Sequence, residues 1–187
     1  MEKKSKKQPG MDRLQLHYEE KELLLEEVMD DYGERLIRLA YTYVKDWGEA
    51  EDIVQEVFTT CYTKLDTFRG EGSLKSWLYA ITVNKCKDHL KSWFRRNIHP
   101  ANLFEWFIPS QEKTPELLLV VEDEYTELAE RILELPVKYR EIIMLFYQEE
   151  LSIQEICTML HVNASTVKSR LHRARKLLKS SLSQHAD

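Results

Sequence analysis

Ser152-Ile153-Gln154-Glu155-Ile156-Cys157-Thr158-Met159-Leu160-His161-Val162-Asn163-Ala164-Ser165-Thr166-Val167-Lys168-Ser169-Arg170-Leu171 is the stretch that decides how this chain folds. Ser152 and Glu155 stand at the spacing at which each side chain satisfies the other's free amide at a helix start. The helix they open is about two turns long and apolar at Ile153, Ile156, Cys157 and Leu160. His161-Val162-Asn163 is a tight connection, and Asn163 can cap a second helix from Ala164 to about Ser180. On that helix Val167, Leu171, Ala174 and Leu178 share one narrow arc. Ser165, Ser169, His172 and Lys176 lie opposite, flanked by Lys168, Arg173 and Lys179. A short capped helix, a tight turn and a longer helix with a basic outer face make the helix-turn-helix pattern. Its second helix suits a DNA major groove, where Arg and Lys donate to guanine edges and Ser serves either base. The free amides from Ala164 to Thr166 suit a phosphate.

Outward from this stretch the 187 residues stay helical in character. Five Gly and five Pro leave little punctuation for β-turns, while 43% hydrophobic and 32% charged residues fit a globular chain. The periodicity predicts an all-α protein of two small helical domains joined by a linker, the second carrying the helix-turn-helix. Residues 1–24 read as a partly disordered extension, 25–97 as the first domain, 98–115 as the linker and 116–187 as the second domain. In the first domain one helix runs from about Met11 to Lys45, and a break is expected at Trp47-Gly48. A second helix runs from Glu49 to about Leu65, with Ala50, Ile53, Val54, Val57, Cys61 and Leu65 inward. The Arg69-Gly70-Glu71-Gly72 segment is a loop. Ser73 caps a third helix reaching about Arg95, apolar at Leu74, Trp77, Leu78 and Ile81. Pro100, Pro109 and Pro115 interrupt the helical pattern and mark the linker, which carries the apolar Leu103, Phe104, Trp106, Phe107 and Ile108. In the second domain one helix runs from Glu116 to Leu135, and Pro136 opens the next.

Charge is sorted along the chain. The net charge of −5 covers an acidic run from Glu19 to Glu34 in which Lys21 is the one base, and a second from Asp46 to Glu56 with none. From Lys75 to Arg96 the sign reverses, and it is basic again after His161. Two basic segments on an acidic protein point to two contacts with a polyanion. On the third helix Asn84, Lys87, Lys91 and Arg95 form one stripe, with Tyr79, Trp93 and Phe94 interleaved. Cations beside rings suit single-stranded or melting DNA, and the Phe68-Arg69-Gly70 loop can offer a pocket for an unstacked base. Glu49, Asp52 and Glu56, with Gln55 beside them, make an acidic face fit for a partner's basic helix. No His stands at the spacing that would complete a di-metal helix.

Several functions are set aside. The amino terminus has no apolar stretch of the kind that directs secretion, and no uncharged segment approaches the ~20 apolar residues a membrane span requires. Cys61, Cys86 and Cys157 are far apart and read as core residues in a reducing compartment, so a cytoplasmic protein with no metal is expected. No constellation for bond chemistry is apparent, so an enzyme, a cofactor and a small-molecule substrate are not expected. The alternative is a stand-alone dimeric helix-turn-helix regulator, which would bind a palindromic site by itself.

Four blocks, taken in order, resemble the extracytoplasmic-function (ECF) class of RNA polymerase sigma factors, in the sigma-70 superfamily. Glu49-Ala50-Glu51-Asp52-Ile53-Val54-Gln55-Glu56-Val57-Phe58 is similar to its region 2.2, which docks on the polymerase β′ coiled-coil. The segment from Phe68-Arg69-Gly70 through Ser76-Trp77-Leu78-Tyr79-Ala80-Ile81 to Asn84 resembles regions 2.3 and 2.4, which melt and read the −10 element. Leu135-Pro136-Val137-Lys138-Tyr139-Arg140 and Leu151-Ser152-Ile153-Gln154-Glu155-Ile156 resemble regions 4.1 and 4.2, and Thr166 to Arg175 the −35 recognition helix. The resemblance implies core polymerase (β′ coiled-coil and β flap), promoter DNA and an anti-sigma factor as partners. It implies that Glu49, Asp52, Gln55 and Glu56 dock polymerase. Phe68, Arg69, Asn84, Lys87, Lys91 and Arg95 then face the −10 element, and Ser165, Thr166, Lys168, Ser169, His172, Arg173, Arg175 and Lys176 the −35 element. Thr82 and Lys91 depart from the family's frequent Ala and Arg.

Overall fold

Local chemistry sets the helix boundaries. The computed structural model describes residues 9–65, 73–97 and 123–183, and the described residues form helices and no strand. Helix α1 spans Pro9–Val44, and Lys45 ends it by turning left-handed (φ 59°) while its amide reaches the Tyr41 carbonyl at 2.8 Å. Asp46 then caps α2, Trp47–Lys64, accepting from the Glu49 amide at 2.8 Å. The break therefore falls at Lys45-Asp46 and not at Trp47-Gly48. Trp47 is already helical and stacks on Tyr41, ring centroids 4.1 Å apart. Ser73 accepts from the Ser76 amide at 3.0 Å and starts α3, Leu74–Asn97. The linker read at 98–115 lies outside the described residues, as do 116–122 of the helix expected from Glu116.

The C-terminal half begins with α4, Asp123–Glu134, followed by α5, Val137–Ile143, with Pro136 as N-cap. A π-helical turn, Met144–Gln148, continues α5. Helix α6, Ile153–Leu160, carries the expected capping box. His161 (φ 54°) closes it in a left-handed conformation, and the Val162 amide reaches the Cys157 carbonyl at 3.1 Å. Asn163 accepts from the Thr166 amide at 2.8 Å and opens α7, Ala164–Ser183.

Helices α1, α2 and α3 pack on one another around Leu36, Leu39, Val54, Val57 and Leu78; α4 to α7 pack around Ile142, Leu145, Ile156, Val167 and Leu171. Each such aliphatic side chain contributes about 1.5–3 kcal/mol by leaving water. The inward face of α3 differs from the expected one. Leu78, Tyr79, Thr82, Val83 and Cys86 are buried, whereas Leu74, Trp77 and Ile81 are half-buried. Thr82 satisfies its hydroxyl on the Leu78 carbonyl at 2.9 Å, so the extra oxygen relative to alanine is paid for within its own helix.

The halves are not held apart. Helix α1 packs against α5, and α3 against α6. Arg140, Glu141 and Glu149, the buried charged residues among those described, all lie on this seam.

Candidate nucleic-acid interface

Helix α7 separates its residues by depth. Val167, Leu171, Ala174 and Leu178 are buried, and Ser165, Lys168, Ser169, His172, Arg173 and Lys176 are exposed on the other side. Thr166 is half-buried. Arg175 is also exposed, its Nε turned back on the Leu171 carbonyl at 3.3 Å. The Ser165 hydroxyl donates to Asn163 at 2.7 Å and the Ser169 hydroxyl to the Thr166 carbonyl at 3.0 Å, so both short side chains are held at the helix surface. All eight residues expected at a −35 duplex thus belong to one helix whose start is fixed by the Asn163 cap. Four or more cations on one exposed helical face attract a phosphate backbone and can reach groove edges.

On α3, Asn84, Lys91 and Arg95 are exposed along one stripe. Lys91 pairs with Asp88 at 3.0 Å, both side chains largely in water, a pair worth at most about 1 kcal/mol and readily exchanged for a phosphate. Lys87 is different. It is half-buried and lies 3.2 Å from Glu141 of the other half. Trp93 and Phe94 meet edge to face at 5.8 Å beside the basic stripe. Tyr79 does not join them: it is fully buried, and its hydroxyl donates to Glu149. Burial, then the Glu149 carboxylate, pushes the Tyr79 phenol far above its usual range. Phe68 and Arg69 lie outside the described residues.

Residues 28–95 match the family described as Sigma-70 region 2, and residues 125–178 the family described as Sigma-70, region 4. The chain is 33% identical over 163 residues to the RNA polymerase sigma factor SigV of Bacillus subtilis (strain 168), which covers 86% of this chain and 92% of that protein. It is 31% identical over 163 residues to the ECF RNA polymerase sigma factor SigW of the same strain, covering 83% of this chain and 87% of that protein. The chain belongs to the ECF RNA polymerase sigma factors. The fold of this sigma factor is also that of the sigma factor RpoE in complex with the anti-sigma factor NepR from Bartonella quintana. There the TM-score is 0.64 at 22% identity, over 84% of this chain and 96% of that one. CnrH in complex with the cytosolic domain of CnrY gives 0.60 at 22%, over 86% and 88%.

The acidic face of this sigma factor lies on α2. Asp52, Gln55 and Glu56 are exposed, and Glu49 is half-buried. Two of the carboxylates are tied to α3: Glu49 to His89 at 3.2 Å and Glu56 to Lys85 at 2.8 Å. Along the helix, the exposed Asp52 and Gln55 fall between these two positions. Among the described residues no group of three His, Cys, Asp or Glu could hold a metal ion, and no helix is long and apolar enough to cross a membrane.

The sequence reading missed the residues of the seam. Arg140 donates to the carbonyls of Leu133 (2.9 Å), Leu135 (3.2 Å) and, across the seam, Tyr43 (3.1 Å). Burial lowers its guanidinium to about 10, still charged at neutral pH. Arg170 turns away from the basic face, to Glu141 at 3.4 Å. The available signal was Arg140-Glu141 standing directly before the apolar run from Ile142 to Phe146, where charged residues are buried only with partners.

Proposed function

We propose that this chain is a promoter-specificity subunit: it binds core RNA polymerase and directs transcription initiation at a particular promoter set. The observation that carries this is the exposed cationic face of α7, fixed at its start by Asn163, on a chain that belongs to the ECF sigma factors. Asp52, Gln55 and Glu56, with Glu49 beside them, dock on the β′ coiled-coil, and the C-terminal half meets the β flap. Lys168, Ser169, His172, Arg173 and Lys176 read the −35 duplex, with Ser165, Thr166 and Arg175 at its phosphates. Asn84, Lys87, Lys91 and Arg95, with Phe68 and Arg69, handle the −10 element, roughly two turns of duplex away. Docking comes first, because acidic faces repel phosphates and leave the free chain a weak DNA binder. An anti-sigma factor restrains it in the cytoplasm. The chain carries out no bond chemistry and needs no cofactor, metal or small-molecule substrate.

Run-off transcription with purified core polymerase tests this reading. Transcripts from a specific promoter only when the chain is added are the expected result. Tight binding of a chain dimer to a palindromic site without polymerase would replace it with a stand-alone regulator.

A further inference from the structure

Lys45 is a half-buried ammonium set beside a cation that cannot move away. Its left-handed backbone ends α1, with its amide fixed on the Tyr41 carbonyl at 2.8 Å. Two residues earlier the Tyr43 carbonyl holds the Arg140 guanidinium at 3.1 Å. Cα atoms two residues apart are at most ~7 Å from each other, so this guanidinium is pinned close to Lys45. Arg140 is buried and donates to the Tyr43, Leu133 and Leu135 carbonyls. Among the described residues no carboxylate pairs with it, and its Nε–H has no partner. Its full charge therefore acts on Lys45 through protein more than through water. Compensation for Lys45 is weak. Asp46, next in the chain, turns its carboxylate to the Glu49 amide at 2.8 Å. Glu134 attracts Lys45, but it is exposed and accepts from Arg131 at 3.1 and 3.2 Å. Burial first, then Arg140, lowers the Lys45 ammonium below its usual 10.5.

We propose that Lys45 is a nucleophilic lysine that accepts an acyl group from an activated acyl donor, an acyl phosphate or a thioester. Desolvation beside a second, fixed cation is how an amine becomes a nucleophile near neutral pH. The neutral Nζ attacks the acyl carbon. An N–C bond forms and the C–O bond to phosphate, or the C–S bond to the thiol, breaks. The leaving group carries away the electron pair, and the proton shed by nitrogen passes to water. The amide product is uncharged, so acylation removes the repulsion between Lys45 and Arg140 at the joint of α1 and α2. Lysines elsewhere sit in ordinary settings: Lys91, Lys168 and Lys179 are exposed, and Lys91 pairs with Asp88. The step requires neither polymerase nor DNA.

The test incubates the full chain with acetyl phosphate in one arm and acetyl-coenzyme A in the other, over a series of pH values. Peptide mapping by mass spectrometry gives the rate at each lysine. Lys45 should be acetylated severalfold faster than Lys91, Lys168 and Lys179 in at least one arm, and its rate should level off at a lower pH than theirs. The arm or arms in which it leads identify the donor class. Glu134→Gln removes the exposed carboxylate that attracts Lys45 and should quicken it further, whereas Arg140→Met should slow it toward the exposed three. Because Arg140→Met also costs stability, its circular dichroism is checked first, and Glu134→Gln carries the test if that variant does not fold. A Lys45 rate no higher than those of the exposed lysines in both arms, a pH profile shared with them, or a rate unmoved by Glu134→Gln would overturn the assignment.

Discussion

The Arg140 guanidinium donates to the main-chain carbonyl of Tyr43 at 3.1 Å, joining the last turn of α5 to the end of α1. The same group satisfies the Leu133 and Leu135 carbonyls, so one side chain closes two helix ends that would otherwise keep free acceptors. Arg140→Met is expected to cost roughly 2–4 kcal/mol, because buried carbonyls lose their donor. A lowered urea midpoint measures it; a midpoint unchanged from the parent would show that these bonds contribute nothing net.

Arg173→Ala removes a cation from the exposed face of α7 without touching the buried arc. Promoter-directed transcription should fall by about ten- to a hundredfold, the worth of a good base contact, while co-purification with core polymerase persists. Loss of both would mean that α7 also holds polymerase.

Asp52→Arg reverses one exposed charge on α2 and leaves the Glu49–His89 and Glu56–Lys85 pairs in place. Polymerase affinity is expected to drop by about tenfold or more through like-charge repulsion. Helix content by circular dichroism should not change, since Asp52 contributes nothing to the core. Normal retention on immobilised core enzyme would remove α2 from the docking surface.

The Ser76 hydroxyl, then the Ser152 hydroxyl and amide, hold the Glu155 carboxyl below its usual value of 4.5. A depressed folded value means the capping box contributes its stability above pH 4.5 and loses it as pH falls through the folded value. Melting temperature should therefore decline on acidification below that point, and Glu155→Gln should decline less steeply. Parallel profiles for the two proteins would show that this carboxylate does not drive the acid transition.

Burial pushes the Cys86 thiol up to about 12, so almost no thiolate forms at neutral pH. The native chain should react with a thiol reagent at Cys86 only at the rate of unfolding, and urea should expose it. Rapid alkylation of Cys86 in the folded protein, located by peptide mapping, would contradict its buried setting.

What the sequence made legible was local. The Ser152–Glu155 box, the Asn163 cap and the buried arc of α7 each depend on residues within a few positions of one another, and all stand as read. At Lys45-Asp46 the glycine of Trp47-Gly48 outweighed a better signal, since Asp46 stands three residues before the amide it caps. On α3 the apolar residues alone do not mark the inward face, because Tyr79 and Thr82 are also buried there. Tyr79 is buried because its partner, Glu149, arrives from 70 residues further on, a pairing no helical period reveals. The seam was illegible for the same reason. Arg140, Glu141 and Glu149 resemble surface charges until the residues that neutralise them are brought alongside by the fold.

The two kinds of bond across the seam would fare differently under evolutionary drift. Arg140 grips a peptide oxygen, which every residue at position 43 would present. Glu141 needs a particular base at position 87 and a phenol at position 43. Hybrids that splice one half onto a foreign counterpart would inherit the first attachment automatically and the second only by chance.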